Sequence, residues 1–534
     1  MSSAINEYLN TPFRATERAN SRQVKNNTGG YVYKADDEQR LTRFLVLGTD
    51  GGSYYTGQRD MTKQNVDFIL DFIKRDEDAV IEIVTDVSVN ARAPKNSTAL
   101  FVLALVFVHG QNKAAATDAL LQVARTATHL FEFTSYLKAM GGLGRAKRKA
   151  LAKWMTNKSP EALAAQAVKY RSRHGYTLRD IMRLSHPEGI SPVVGEYILK
   201  GVVGEDAPEI LKGFIEAQKV TTGAQAVKVL KRFPRLTWEA FPTSVHNSPE
   251  FWKALFYNGM GATALLRNVT RFAKLGLFDD VKFAGDVAKA LSDPEAIKKG
   301  RLHPVQYLNA HGIYAKARSA NYYGHDYYSS VYSGATSWKV NSKVAGALEN
   351  GFYAAFGNVT PADKRTMVSL DVSGSMTWAA PAGLVGLNCM EAAVAMAMVT
   401  IRTEPYVEVN AFSHGLMEVN ISDTSSLNSA IKSLDNLSFS STNIAAPIEK
   451  ALRERQVIDH FIIYTDSEVN TGRNVSGVLN EYRRKVNPEA RLTVVGMTAN
   501  EFTVGDPDDS LTLAVVGFDS AAPSVISEFA SQSI

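Results

Sequence analysis

Apolar residues recur every three or four positions along most of the first 312 residues, which is the spacing of one face of a helix. Val66, Ile69, Leu70 and Ile73 show this spacing clearly. Short connections carrying Gly, Pro or Asn separate the segments, and strand-like alternation is nearly absent. The pattern predicts an all-α helical-repeat architecture of antiparallel helix pairs, although no clean repeating period is visible. The other predicted helices are 98–109, 115–125, 128–139, 145–156, 160–173, 177–184, 192–202, 207–217, 223–231, 249–257, 261–274, 283–291 and 303–312.

The pattern changes near residue 360, where short apolar runs begin to alternate with helical segments. This alternation predicts an α/β, doubly wound, mostly parallel sheet, with ligand sites beyond the carboxyl ends of its strands. We therefore divide the chain into residues 1–360 and 361–534, and expect the polar first 20 to 30 residues to be poorly ordered. The predicted strands are 367–370, 407–412, 461–464, 492–495 and 513–516. The predicted helices between them are 388–402, 425–435, 443–453, 475–485 and 522–530.

The charge is divided unevenly between these two parts. Residues 1–360 contain 47 Lys and Arg against 33 Asp and Glu, whereas the rest contains 12 against 21. A basic first part favours a polyanionic partner such as nucleic acid, and an acidic second part does not. Attraction between the two domains is the alternative explanation.

The cysteine content, the apolar runs and the first ten residues bear on the cellular compartment of the protein. Cys389 is the only cysteine, which excludes an intrachain disulfide and a multi-cysteine zinc site and fits a reducing compartment. No apolar run reaches about 18 residues, so we expect no membrane span. The first ten residues lack the pattern of a signal peptide, and we expect a cytoplasmic protein.

One group of acidic and hydroxyl residues follows the predicted strand ends. Asp371, Ser373 and Ser375 come directly after the first strand, Thr442 opens a later helix, and Asp466 closes the strand 461–464. Two carboxylates and three hydroxyls from three loops suit a hard divalent cation such as Mg²⁺. Helix capping is the alternative role for each hydroxyl residue.

Basic residues form three clusters within about 45 residues of the first part. The first cluster is at the start of a helix, where cations oppose the helix dipole unless an anion lies nearby. Within the other two, cations four residues apart share a helix face. A solvated face is the alternative for each residue, but their recurrence favours one continuous RNA surface. The candidate RNA-binding residues are Lys138, Arg145, Lys147, Arg148, Lys149, Lys169, Arg171, Arg173, Arg179, Arg183 and His186.

Several segments resemble the TROVE module of the Ro ribonucleoprotein autoantigen family, among them RQVKNN, RLTRFLVLG and GGSYY near the beginning of the chain. Residues 363–534 resemble a von Willebrand factor type A domain with a complete metal-ion-dependent adhesion site. The TROVE-like segments, in the order of the family, are 22–27, 40–48, 51–55, 92–95, 167–170, 184–187, 265–268 and 300–304.

The resemblance implies a HEAT-like helical ring closed by the type A domain. It implies that small Y RNAs bind the outer basic surface, where Lys169, Arg173 and His186 match the family's Y RNA contacts. It also implies that single-stranded 3′ ends of misfolded RNAs enter the central hole. Bacterial relatives can deliver RNA to an exoribonuclease, so the resemblance implies such a partner as well. The implied role is RNA quality control or degradation.

Two other functions are weighed against this interpretation. A protein-interaction scaffold would use the metal site without RNA, and the positive balance of residues 1–360 argues against it. An enzyme is disfavoured because no Gly-x-Ser-x-Gly elbow frames Ser373 and no nucleophile–histidine pair is evident. The tyrosines of the segment 320–336 could stack on bases or pack locally, and their role stays open.

Overall fold

The computed structural model describes residues 14–49, 58–315, 338–357, 359–378, 388–434, 437 and 441–532. The tyrosine-rich segment 320–336 lies outside the described residues. None of the helices in the described part of the chain combines the length and apolarity of a membrane span.

The first part of the chain is helical, as the apolar spacing predicts. Helices α1 to α9 are Asp37–Leu47, Gln58–Arg75, Glu77–Val89, Ser97–His109, Lys113–Val123, Ala127–Ala139, Arg145–Thr156, Pro160–Lys169 and Leu178–Ser185. Helices α10 to α18 are Pro192–Lys200, Glu209–Ala217, Gly223–Arg232, Pro249–Tyr257, Ala262–Lys274, Val281–Leu291, Pro294–Gly300, Pro304–Ala315 and Ser342–Ala354. Short 3₁₀ helices are Trp238–Ala240, Thr243–Val245 and Leu277–Asp279. Helices close in sequence pack against each other, so the region is a solenoid of neighbouring pairs.

Local sequence determines where many of these helices begin. The Asp36 carboxylate accepts the Gln39 amide at the start of α1. Thr177 and Asp180 form a reciprocal capping box at α9, which satisfies two of the free amides of its first turn. The buried face follows the apolar spacing: α7 buries Leu151, Trp154 and neighbouring apolar residues and leaves its basic residues on the other side.

The C-terminal part contains a six-stranded mixed sheet with the order β5-β4-β3-β6-β7-β9. Only β5 is antiparallel to its neighbour, and the other pairs are parallel. The strands are β3 Thr366–Asp371, β4 Val407–Phe412, β5 Leu416–Glu418, β6 His460–Thr465, β7 Arg491–Gly496 and β9 Thr512–Val516. Helices α19 to α24 are Gly374–Trp378, Cys389–Thr403, Leu427–Lys432, Ala446–Glu454, Val475–Lys485 and Ala522–Ser531. The predicted α/β fold is therefore confirmed.

The N-terminal segment differs from the expected poor order of the first 20 to 30 residues. From Arg14 onward it lies on the C-terminal domain. Strands β1 (Val24–Lys25) and β2 (Tyr31–Lys34) pair with each other, and β2 also pairs with β8 (Phe502–Thr503). Buried polar side chains such as Gln23, 2% exposed, are fixed by long-range hydrogen bonds that a sequence pattern does not reveal.

His303 closes the helical region on itself. Its Nδ1 accepts the Val305 amide at 3.1 Å, so its Nε2 carries the proton. That N–H points at two carbonyl oxygens, those of Arg92 at 3.0 Å and Phe518 at 2.9 Å. Arg92 lies 211 residues earlier in the chain, and its guanidinium donates to Asp519 Oδ2 from Nε at 2.9 Å and from Nη2 at 2.6 Å. The two ends of the helical region and the C-terminal domain therefore meet at one point.

We predict that His303→Ala lowers the free energy of unfolding by about 1–3 kcal/mol, because two buried carbonyls lose their donor. Urea denaturation followed by tryptophan fluorescence measures the change. His109→Ala is the matched control, since His109 is exposed at the end of α4 and should cost less than about 0.5 kcal/mol. Equal losses in the two variants would contradict the closing role of His303.

The same residue predicts a pH dependence. Burial lowers the pKa of His303 to about 4, whereas an unfolded histidine titrates near 6.5. Between these values the unfolded chain binds a proton that the folded chain excludes, so this contribution to stability is lost as the pH falls from about 6.5 toward 4. Between pH 7 and pH 4.5, the free energy of unfolding should therefore fall less in His303→Gln than in the wild type. Urea denaturation at the two pH values measures this difference.

Candidate nucleic-acid interface and metal centre

The carboxyl end of β3 carries the first part of the acidic-hydroxyl group. Asp371 is fully buried, and Ser373 and Ser375 are 1% and 3% exposed. The Asp371 carboxylate accepts the Ser373 amide at 2.9 Å and the Thr465 hydroxyl at 2.6 Å. The Ser373 and Ser375 hydroxyl oxygens are 3.1 Å apart. The loop thus presents one carboxylate and two hydroxyls in a single buried place.

Two other loops reach the same edge of the sheet. Asp466 follows β6, which is the parallel neighbour of β3, so both aspartates leave the sheet on the same side. Thr442 is 1% exposed and precedes α22. Its amide donates to Asn470 Oδ1 at 2.8 Å, and its carbonyl accepts the Asn470 and Thr471 amides at 3.3 and 3.2 Å. The loop of Thr442 is therefore tied to the loop that follows Asp466.

Asp466 has an unsatisfied oxygen. Its Oδ1 accepts the Glu468 amide at 3.1 Å, whereas its buried Oδ2 has no hydrogen-bond partner among the described residues. An unpaired buried carboxylate oxygen is costly unless something else compensates its charge. Among the described residues, nothing compensates the charge of this atom.

The electrostatics of the site agree with this interpretation. Burial, and secondly the charge of Asp466, raise the pKa of Asp371 to about 7. Burial also raises the pKa of Asp466. Burial and the Asp466 charge raise the pKa of Glu468 to about 8. A bound cation would offset all three effects.

The donor set fits a hard divalent cation. Within the described residues no cluster of three or more His, Cys, Asp or Glu side chains could hold a metal. The group instead combines the carboxylates of Asp371 and Asp466 with the hydroxyls of Ser373, Ser375 and Thr442. Such oxygen ligands, with only one or two carboxylates, suit Mg²⁺, which retains water in the other positions.

The basic candidates lie on the surface of α6 to α9. All eleven are exposed except Lys147 and Lys169, which are half-buried. Nearby Lys153 and Lys200 pair with Asp118 and Glu196. The candidate lysines and arginines, by contrast, form no salt bridge with the acidic residues that the structure describes. Their charges are available to an external anion.

Packing brings the clusters together. Helix α7 carries Arg145, Lys147, Arg148 and Lys149 and contacts α9, which carries Arg179 and Arg183. Some of these side chains also make local hydrogen bonds to carbonyls, such as Lys147 to Gly142 at 3.0 Å and Arg148 to Leu143 at 3.0 Å. His186 ends α9 in the left-handed conformation with φ 47° and is exposed.

The predicted helix 160–173 ends at Lys169, so the expectation that Lys169 and Arg173 share a helix face is wrong. A tight hairpin presents the middle cluster instead. The Arg173 and Tyr176 backbones exchange two hydrogen bonds of 3.0 and 2.9 Å. His174 and Gly175 between them have φ values of 52° and 78°, as a two-residue type I′ turn requires. Arg171 is packed over the Phe214 ring at 5.2 Å, so this basic loop is anchored to α11.

One residue of this surface was missed from the sequence. His174 is exposed at the hairpin tip, and only its position beside Arg173 indicated it. Lys113 is half-buried, and its ammonium donates to the carbonyls of Phe107 at 2.9 Å and Gly110 at 2.5 Å at the end of α4, so it is not counted with the surface.

Comparison with known proteins identifies relatives along the whole chain. The family model of the TROVE domain matches residues 24–205 and 202–322, and that of the Ro60 vWA domain matches residues 365–530. An RNA-binding protein RO60 of Deinococcus radiodurans is 38% identical over 99% of this chain and 98% of its own length. Another, of Caenorhabditis elegans, is 28% identical over 97% of this chain and 91% of its own length.

A solved structure is similar as well. The crystal structure of the Deinococcus radiodurans RO (RSR) protein has a TM-score of 0.68 and 37% sequence identity to this chain. The match covers 93% of this chain and 99% of the other. Both the helical region and the C-terminal domain therefore have counterparts in one known architecture.

The raised pKa of Asp371 predicts how Asp371→Asn changes stability with pH when a chelator is present. The folded carboxyl holds its proton up to about pH 7, whereas the unfolded one loses it near pH 3.8, so ionisation destabilises the fold as the pH rises between these values. Relative to wild type, the variant should therefore gain about 1 kcal/mol or more between pH 5 and pH 8. Urea denaturation at the two pH values measures this; a constant difference would contradict it.

Proposed function

Because this chain belongs to the Ro60 family of TROVE proteins, we propose that it is a non-catalytic RNA-binding protein with two kinds of RNA ligand. Small structured RNAs of the Y type bind the basic surface of α6 to α9. Single-stranded 3′ ends of misfolded RNAs enter the ring that the helical region encloses. Both relatives above are named as RNA-binding proteins, which supports the RNA ligand.

One observation carries this proposal. Ten lysine and arginine side chains lie on α6 to α9 and the loop between α8 and α9, without a salt bridge to the described acidic residues. Phosphate contacts supply much of the affinity of proteins for nucleic acids, and each neutralised phosphate releases counterions. RNA stems are recognised mainly by shape and backbone contacts, which a broad surface of exposed cations provides.

The second RNA site rests on the closure of the helical region. His303 and Arg92 join its two ends, and we infer that the closed solenoid surrounds an opening that a free RNA end could enter. A role in RNA quality control or degradation follows, with an exoribonuclease as a partner that receives the bound RNA. The single free cysteine, buried Cys389, fits a cytoplasmic location.

We also propose that the C-terminal domain binds Mg²⁺ through Asp371, Ser373, Ser375, Thr442 and Asp466. The unpartnered Oδ2 of Asp466 supports this ligand set. The ion would supply an open coordination position for a partner's carboxylate. The protein would hold the ion in place, without chemistry of its own.

The alternative is a metal-dependent protein-interaction scaffold without RNA. The buried oxygen ligands at the sheet edge favour it, because a partner could bind there whatever the helical region does. An enzyme finds less support. The Cys389 thiol is buried and donates to the Met497 carbonyl, so it is no exposed nucleophile.

We predict that a stem-loop RNA with a single-stranded 3′ tail binds the wild type strongly and with steep salt dependence. Lys169→Glu/Arg173→Glu should weaken binding at least about tenfold and reduce the slope of log K against log[salt] by roughly two, one for each lost phosphate contact. Fluorescence anisotropy over a salt series measures both quantities.

The matched control is Lys282→Glu/Lys289→Glu, which changes the net charge equally on exposed positions of α15. It should bind RNA nearly as well as the wild type. Equal weakening by the two double variants would mean that net charge alone attracts the RNA. Absence of wild-type binding would favour the scaffold.

We predict one Mg²⁺ or Mn²⁺ site per chain by calorimetry, abolished in Asp371→Ala because one of the two carboxylate ligands is removed. Asp423→Ala, which removes an exposed carboxylate of the same domain, should bind like the wild type. Equal binding by Asp371→Ala and the wild type would disprove the proposed ligand set.

A further inference from the structure

The turn between β1 and β2 is built around Asn26. This side chain is 6% exposed. Its Oδ1 accepts the amides of Thr28 at 3.1 Å and Gly30 at 2.8 Å, which fixes the turn. Its Nδ2 donates in the other direction, to the carbonyls of Ser467 at 3.3 Å and Val469 at 2.9 Å. One asparagine therefore joins the N-terminal hairpin (residues 24–34) to a loop more than 400 residues away.

Asn27 binds Glu468, which lies between Ser467 and Val469 in the chain. Its amide and its Nδ2 donate to the Glu468 carboxylate at 3.2 and 2.6 Å. Glu468 is 1% exposed, so few other donors can reach it. The contact is also close at the backbone, because a Cβ on Gly30 would lie only 2.1 Å from the Val469 carbonyl oxygen. The hairpin and the loop are therefore in close contact.

The loop that the hairpin holds is the continuation of the proposed metal ligand Asp466. Ser467, the next residue, has φ 64°, an unfavourable conformation for a serine that its surroundings must maintain. The Glu468 amide donates to Asp466 Oδ1 at 3.1 Å and thereby orients that carboxylate. The direction of the Asp466 carboxylate thus depends on where residues 467–469 are held.

A second connection reaches Asp466 from the helical region. Strand β2 leads directly into α1, and Arg43 of this helix is 1% exposed. Its guanidinium donates to the Phe502 carbonyl at 2.5 Å and the Asn500 carbonyl at 3.3 Å. The Asn500 Nδ2 in turn donates to the Asp466 carbonyl at 2.6 Å. The N-terminal hairpin and α1 therefore both connect to the loop of Asp466.

We propose that the N-terminal hairpin is an intramolecular part of the metal centre, and that Asn27 is a positioning residue that orients the Asp466 loop for the ion. The inference rests on the metal site proposed above. Residues that orient metal ligands contribute substantially to metal affinity, although they do not touch the ion. By linkage, an ion that binds the oriented loop also stabilises the hairpin that orients it.

The first test is calorimetric titration of the full-length protein with Mg²⁺ and Mn²⁺. Asn27→Ala should bind at least about tenfold more weakly than the wild type. Asn27 is exposed, so this variant should remain folded. Arg22→Ala is the matched control: it removes ion pairs of the same N-terminal segment with Asp506 and Asp508, which are not connected to the loop 467–469, and should bind normally.

The second test measures hydrogen exchange of the hairpin amides with and without Mg²⁺. We expect the ion to slow exchange at residues 24–34 in the wild type and to leave it unchanged in Asp371→Ala, which keeps the hairpin contacts. Normal metal affinity in Asn27→Ala would overturn the positioning role alone. The same holds if Mg²⁺ does not change the rate of hydrogen exchange at the hairpin amides of the wild type. Absence of metal binding by the wild type would overturn the metal site itself, and this inference with it.

Discussion

The shared hydrogen bond of His303 is the constraint on which the ring depends. It joins the Arg92 carbonyl, near the beginning of the helical region, to the Phe518 carbonyl of the C-terminal domain. The entropic cost of closing so long a loop grows only slowly with its length, so a few well-placed contacts suffice. Asp519 adds an ion pair with Arg92 at the same point. Joining the two ends restrains the relative positions of the helices between them. Helices α6 to α9 are among these, so the arrangement of the basic surface is restrained as well.

The two proposed binding sites differ in the sign of their charges and in whether those charges are exposed or buried. The cations of α6 to α9 stay exposed, where water and salt screen their repulsion and a phosphate backbone can reach them. The carboxylates of Asp371 and Asp466 are buried together, where their repulsion is weakly screened. Neither group has counter-charges among the residues that the structure describes. This shared deficiency is the physical reason for assigning an external ligand to each.

Patterns of residues close together in the sequence predicted both fold classes and two of the candidate metal ligands. Apolar spacing and strand–helix alternation predicted both fold classes, and Asp371 and Asp466 were found because both follow strands of one parallel sheet. The contacts that could not be predicted join distant residues. Strand β1 has two residues and β2 four, too few for an apolar pattern, and Asn27 meets Glu468 across 441 positions. No pattern in the sequence around His303 indicates that Arg92 is its hydrogen-bond partner.

The most direct test of RNA binding by the basic surface is ultraviolet cross-linking of a bound stem-loop RNA, with the cross-linked peptides identified by mass spectrometry. We predict that cross-links from the stem concentrate in peptides of residues 138–186, on α6 to α9 and the hairpin around His174. Cross-links confined to the C-terminal domain, or spread evenly over every exposed basic residue, would contradict it.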